Sequence, residues 1–231
     1  MRPEQVPGSA DSRGERPNLT EAVYEQLIDL LIRGELRPGD IVTERKMAES
    51  LKASRTPIRE ALSRLESQGL VYKQASRGVT VSPFTAEAFI EIINVRQILE
   101  AEAAWLAAGE IPAETLERIR RVLNETAAKP NPTLAEIWAA DDLLHGEIAA
   151  ASNNKLLATM IRDLRRRTHV FNVYRNGISR PFTSNQNGNH MLLEAIESGD
   201  RDRAREAMSQ HLAQVKTAII ERLSGVKPAV A

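Results

Sequence analysis

The 231 residues contain no cysteine. That excludes a disulfide scaffold and any thiolate metal site, and it fits a reducing compartment. Long apolar runs are missing as well: nothing approaches the roughly 18 consecutive apolar residues that a membrane helix needs, so no membrane is expected as a partner. The opening stretch MRPEQVPGSADSRGERPN has no apolar core and is not a secretory signal; the expected location is the cytoplasm. Net charge is zero, which at first sight argues against nucleic acid as a partner.

The distribution of charge points the other way. From Glu21 to Glu44 two basic residues face six acidic ones. From Arg45 to Arg77 eight basic residues face three acidic ones. Phosphate neutralisation is local, so a basic stripe on a neutral chain suits a DNA reader. The remaining composition, 42% hydrophobic and 27% charged, is that of an ordinary soluble protein long enough for two domains.

Residues 1–17, rich in Pro, Gly, Ser and Arg, read as a disordered tail, and 226–231 as a second tail. Between them the patterning predicts a mainly α chain. An N-terminal winged helix-turn-helix over 18–83 has three helices and a two-stranded wing. An all-helical bundle over 84–225 follows. The first helix runs from Thr20 to Arg33, with Val23, Leu27, Leu30 and Leu31 on one face and Gly34 as its stop. Thr43 caps a second helix through Leu51, and a third spans Ser54 to Gln68. Strands at 70–74 and 79–81 flank the turn Ala75-Ser76-Arg77-Gly78. Beyond Pro83 six helices are expected, near 85–108, 113–128, 132–151, 154–175, 186–198 and 201–223. Thr85 and Asn131-Pro132 mark starts, Gly109 a stop, and Asn187-Gly188-Asn189 a loose entry to the fifth.

In a helix-turn-helix the start of the second helix of the motif meets base edges. Here that helix opens SRTPIRE. Ser54 or Thr56 supplies a cap, and Pro57 suits the first turn, where no backbone donor is needed. Arg55 and Arg59, four apart, project from one face, and arginine is the side chain best suited to bidentate contact with guanine. Arg45 is placed to grip backbone or an outer base. At the wing tip Gly78 permits close approach to a groove beside Arg77. Solvated helix faces also carry such charges.

In the bundle, ionisable residues fall on faces that should be apolar. Asp141 and His145 share a face with Ile137, Leu144 and Ile148; His211 lies on the stripe Ala207, Met208, Val215 and Ile219; His190 opens the fifth helix. A buried carboxylate needs a partner, and a divalent cation shared with neutral imidazoles would supply one. Core histidines bonded to backbone are the alternative. His169 falls with Arg162, Arg165 and Arg166 on what reads as a solvated face. Arg96 points inward, either paired with Glu100 one turn on or clamping a carboxylate effector.

The run GELRPGDIVTERKMAESLKASRTPIREALSRLESQGLVYKQASRGVTV resembles the DNA-binding domain of GntR-type bacterial transcription regulators, from Leu19 to Val81. The resemblance implies that Arg45, Arg55 and Arg59 contact double-stranded DNA, with Ser54, Thr56 and Gly78 nearby. The runs VRQILEAEAAWLAA, ADDLLHGEIAAASNNKLL and NHMLLEAIESGDRDRAREAMSQHL are similar to the all-helical FCD type of effector domain, named for the FadR C-terminal domain. Many members hold a divalent metal through an Asp, a His four residues on and two further His; Asp141, His145, His190 and His211 match those positions. Zinc is the first expectation, with nickel, manganese or iron as alternatives. The resemblance further implies a small organic acid completing the metal's coordination, a homodimer and a palindromic operator. The expected function is a ligand-responsive DNA-binding repressor with no catalytic residue. A metalloenzyme with a DNA-binding appendage, and a regulator with a purely structural metal, are the alternatives.

Overall fold

The computed structural model describes residues 19–74, 78–83, 85–176 and 186–224. Both tails, the wing tip with Arg77, and the link between the fourth and fifth bundle helices lie outside the described residues.

The N-terminal unit is built from α1 (Leu19–Ile32), β1 (Ile41–Val42), α2 (Glu44–Ser50), α3 (Arg55–Ser67), β2 (Val71–Gln74) and β3 (Gly78–Val81). It is a winged helix-turn-helix. The side chains Val23, Leu27 and Leu31 of α1, Ile58, Leu62 and Leu65 of α3, and Val79 and Val81 of β3 close one apolar core. Thr43 caps α2 by accepting from the Lys46 amide at 3.3 Å. Ser54 stands at the cap of α3 in extended conformation but makes no side-chain cap bond, so its hydroxyl stays available.

Two differences from the expected pattern concern strands and caps. The wing is an antiparallel three-stranded sheet, ordered β1-β3-β2, because Ile41 and Val42 pair with Thr80 and Val79. Two residues are too few to show alternation. In the bundle, Thr133 rather than Asn131 starts the third helix, through a capping box in which Thr133 and Glu136 satisfy each other's backbone N–H.

The second unit is all helical among the described residues: α4 (Ala86–Ala107), α5 (Ala113–Ala128), α6 (Leu134–Ala151), α7 (Lys155–Asn176), α8 (Gln186–Glu197) and α9 (Arg201–Ser224). Asn187-Gly188-Asn189 forms the first turn of α8. Its main core draws Ala103 and Ala107 from α4, Ile119 from α5, Leu144 and Ile148 from α6, Ile161 from α7, Leu192 and Ile196 from α8, and Met208 and Leu212 from α9.

Helix α7 belongs to both units. Val170 packs into the winged-helix core. Arg64 of α3 donates to Glu21 of α1 at 2.6 Å and to Asp163 of α7 at 3.3 Å. Its guanidinium lies 3.8 Å from the centre of the Tyr24 ring, with that of Arg166 at 5.3 Å, and Arg166 donates to Glu25. Cations against a buried aromatic face, each also bonded to a carboxylate, form a clamp between the units.

Candidate metal centre and nucleic-acid interface

Arg45, Ser54, Arg55, Thr56, Arg59 and Gly78 are all exposed, whereas Pro57 is buried and acts only as the start of α3. Arg59 is held by Glu44 of α2 in a two-pronged pair, with N–O distances of 2.7 and 2.9 Å. Arg45 sits 3.9 Å from Glu49 on its own helix. Gly78 has φ +99, and a Cβ there would lie 2.5 Å from the Val42 carbonyl oxygen. The close approach of β1 to β3 therefore requires glycine at this position.

In the bundle the inward faces of α6 and α9 bring Asp141, His145 and His211 together, with one ligand atom of each within 4.8 Å of the others. His145 and His211 are buried, and their rings stand 5.1 Å apart. His145 Nε2 and His211 Nδ1 are buried atoms with no hydrogen-bond partner, and His145 Nε2 lies 3.6 Å from an Asp141 carboxylate oxygen. Buried polar atoms are normally satisfied. Two orphaned imidazole nitrogens beside a carboxylate are the donor set that a divalent transition metal accepts. His190, half-buried on α8, is not brought into this group.

Glu100 of α4, which the sequence pattern offers only as a partner for Arg96, does more. Its two oxygens divide between Arg96 Nε at 2.6 Å and His145 Nδ1 at 2.5 Å. An Nδ1–H donating to Glu100 leaves Nε2 as a lone pair facing Asp141, which is how a carboxylate orients a ligating histidine. Burial by itself would lift the Glu100 pKa, but Arg96, His145 and Arg165 hold it well below the ordinary carboxylate range. The signal available in sequence is an acid one turn beyond an inward arginine.

Arg96 points inward as expected, and its Nη1 also reaches Thr168 at 3.3 Å. Asp141 accepts from Arg165 at 2.6 Å. Burial again opposes ionisation there, and the Arg165 guanidinium overrides it, so the carboxylate stays charged. Contrary to the solvated face expected for them, Arg165 and His169 are buried, at 4% and 7% exposure. Arg165 is neutralised by Asp141 and Asp142, and His169 stacks on Trp138 with ring centres 4.6 Å apart. In a second group of potential ligands, Asp141, Asp142 and His169, both carboxylates bond Arg165, and His169 Nδ1 lies 3.6 Å from Asp142. Burial lowers His211 to about 4, so its imidazole is neutral and free to ligate near neutral pH.

Comparison with known proteins agrees with this architecture. The family described as bacterial regulatory proteins, gntR family, matches residues 19–81, and the FCD domain matches residues 91–214. The chain is 32% identical over 162 residues to the HTH-type transcriptional regulator YcbG of Bacillus subtilis, covering 64% of this chain and 68% of that one. It is 28% identical over 213 residues to the HTH-type transcriptional regulator LutR of the same organism, covering 81% and 94%. The solved structure of Escherichia coli McbR/YncC superposes with a TM-score of 0.75 at 25% identity, over 90% of this chain and all (100%) of that one.

Proposed function

This chain belongs to the GntR family of bacterial regulatory proteins, with an FCD domain as its second unit, and from that premise we propose that it is a ligand-responsive repressor sensing a small carboxylate metabolite through a metal-containing pocket. The observation that carries the reading is the pair of buried, unpartnered imidazole nitrogens of His145 and His211 beside Asp141.

Asp141, His145 and His211 would hold the metal, with His190 added by the family resemblance as the fourth ligand. A nitrogen-rich set with one carboxylate favours zinc, nickel, manganese or iron over magnesium or calcium. The bound metal would supply a Lewis-acidic centre for an effector carboxylate. The chain's own groups do the rest. Glu100 fixes the His145 tautomer, Arg165 keeps Asp141 ionised, and Arg96, paired with Glu100, would turn part of its guanidinium to the effector's carboxylate. A cavity of about 480 Å³ between α8 and α9, lined in part by His211, Met191 and Gln210, offers the effector its space. No helix among the described residues is long and apolar enough to cross a membrane.

On the DNA side, Arg55 and Arg59 would read base edges, with Arg45, Ser54 and Thr56 placing the helix on phosphates. One winged helix touches few bases, so a homodimer on a palindromic operator is the matching assembly. Two measurements test the reading. Elemental analysis should find about one metal per chain in the wild type, and little in the double variant His145→Ala, His190→Ala; equal content in both refutes the metal pocket. Fluorescence anisotropy on operator DNA should lose binding in Arg55→Ala while the fold persists, and wild-type affinity in that variant refutes the reading helix.

A further inference from the structure

On the face of α6 next to the one that carries Asp141 and His145, a second cleft of about 310 Å³ lies between α6 and α7. Its floor is made of small residues, Gly146, Ala149 and Ala150 from α6 and Ala158 from α7, and its walls carry Arg162, Arg165 and Arg166. Three features set it apart from an ordinary packing gap.

Gly146 sits in the interior of an 18-residue helix, where glycine is unfavourable compared with alanine. No positive φ requires it, and a Cβ there would meet no atom within 4 Å. Neither backbone geometry nor crowding explains the glycine; what its smallness does is keep the cleft open. The cleft is also unbalanced in charge. Asp142, the carboxylate on its rim, already accepts two bonds from Arg165, at 3.0 and 2.7 Å. Arg162 touches the Thr159 hydroxyl at 3.4 Å and has no carboxylate partner among the described residues. Finally, Arg166 Nη1 is a buried N–H with no acceptor; a carboxylate oxygen of Asp163 stands 4.0 Å away. A buried donor without an acceptor is costly to maintain, and a guanidinium pair is suited to receive an oxyanion.

We propose that this cleft is a second ligand site, for a short aliphatic carboxylate. Its carboxylate lies between Arg162 and Arg166, and its chain lies over Gly146 and the alanines. None of Asp141, His145, His190 and His211 lines the cleft, and Arg165, which does, links it to the metal centre by donating to Asp141 at 2.6 Å. The cleft touches the DNA-binding unit through Arg166, which donates on its other nitrogen to Glu25 of α1.

The test is a titration of the full-length, EDTA-treated protein with valerate and, separately, with inorganic phosphate, followed by heteronuclear NMR shifts of the α6 and α7 amides. Valerate should bind saturably and at least about ten times more tightly than phosphate, because only valerate uses the apolar floor. Gly146→Leu, which fills the cleft, should abolish the shifts. Arg162→Gln, a change at an exposed side chain, should weaken binding about tenfold while leaving Tm and zinc content unchanged. The proposal is overturned if valerate binds Arg162→Gln as it binds wild type, if phosphate binds as tightly as valerate, or if binding occurs only after zinc is restored. Should Gly146→Leu fail to fold, the Arg162→Gln result decides alone.

Discussion

His145 and Glu100, forty-five residues apart in sequence, meet at 2.5 Å through Nδ1 and a carboxylate oxygen, both fully enclosed. This pairing turns the other imidazole nitrogen towards Asp141 and His211, and it couples the candidate metal centre to the buried Arg96 on α4. Glu100 therefore has two tasks, one as counter-ion and one as orienter, and substitution separates them.

Glu100→Gln keeps the shape and removes the charge, leaving Arg96 without its buried partner. Breaking one side of a buried pair costs about 3–5 kcal/mol, so urea unfolding should show a marked loss of stability. Zinc affinity, measured by competition with a chelating dye, should fall about 10–100-fold as the orienting carboxylate is weakened. The double variant Arg96→Met, Glu100→Gln should recover part of the stability and none of the metal affinity. Recovery of both would show that Glu100 acts on the metal only through the fold.

Gly78→Ala tests the wing. The residue sits at φ +99, and the new methyl carbon would fall 2.5 Å from the Val42 carbonyl oxygen. The left-handed conformation alone costs roughly 1–2 kcal/mol for a residue with a Cβ, and the contact adds to it by prising β1 from β3. The expected result is weakened DNA binding with near-native helix content by circular dichroism. Unchanged stability and unchanged affinity would mean that the sheet gives way freely.

Much of this architecture is legible in the sequence, and the exceptions have physical causes. Helices such as α3 and α5 carry apolar periodicity over three or more turns, so they can be read directly. β1 is two residues long and shows no period. Asn131 and Thr133 are both competent caps, and what selects Thr133 is the reciprocal bond with Glu136, in which the Thr133 amide donates at 2.8 Å. Asp141, His145 and His211 betray themselves by interrupting apolar stripes. Arg165 and His169 mislead because their charge partner, Asp142, and the Trp138 ring arrive from another helix. Pairing across helices leaves no mark in local sequence.

Glu44 tests how the reading face is held when no DNA is bound. It binds Arg59 through both prongs of the guanidinium, and both partners are exposed enough that the pair adds little stability. Glu44→Gln should free Arg59 to meet phosphates. Affinity for non-specific duplex should rise, and the slope of log K against log salt should steepen by up to about one. Arg59→Ala should instead lose operator binding and flatten the slope. If Glu44→Gln leaves both quantities unchanged, Arg59 lies away from the DNA.

The buried histidines set the acid limit of the fold. Burial lowers His169 to about 4, opposed by Asp142 and helped by the Arg165 charge. His211 is likewise lowered to about 4. An unfolded histidine titrates near 6.5, so between roughly pH 6.5 and 4 the unfolded chain binds more protons than the folded one. Stability must then fall as pH drops through that window and level off above it. Glu100 and Asp141 stay ionised throughout it, because their charged neighbours depress both carboxylates. Metal ligation needs neutral imidazole, so metal should be released over the acidic part of the same range. His169→Phe preserves a flat ring against Trp138 and removes one titrating group outside the metal set. Urea midpoints of the EDTA-treated protein should depend about half as steeply on pH in this variant, with zinc content at pH 7.5 equal to wild type. A wild-type slope in His169→Phe would show that His169 is not held neutral by the fold.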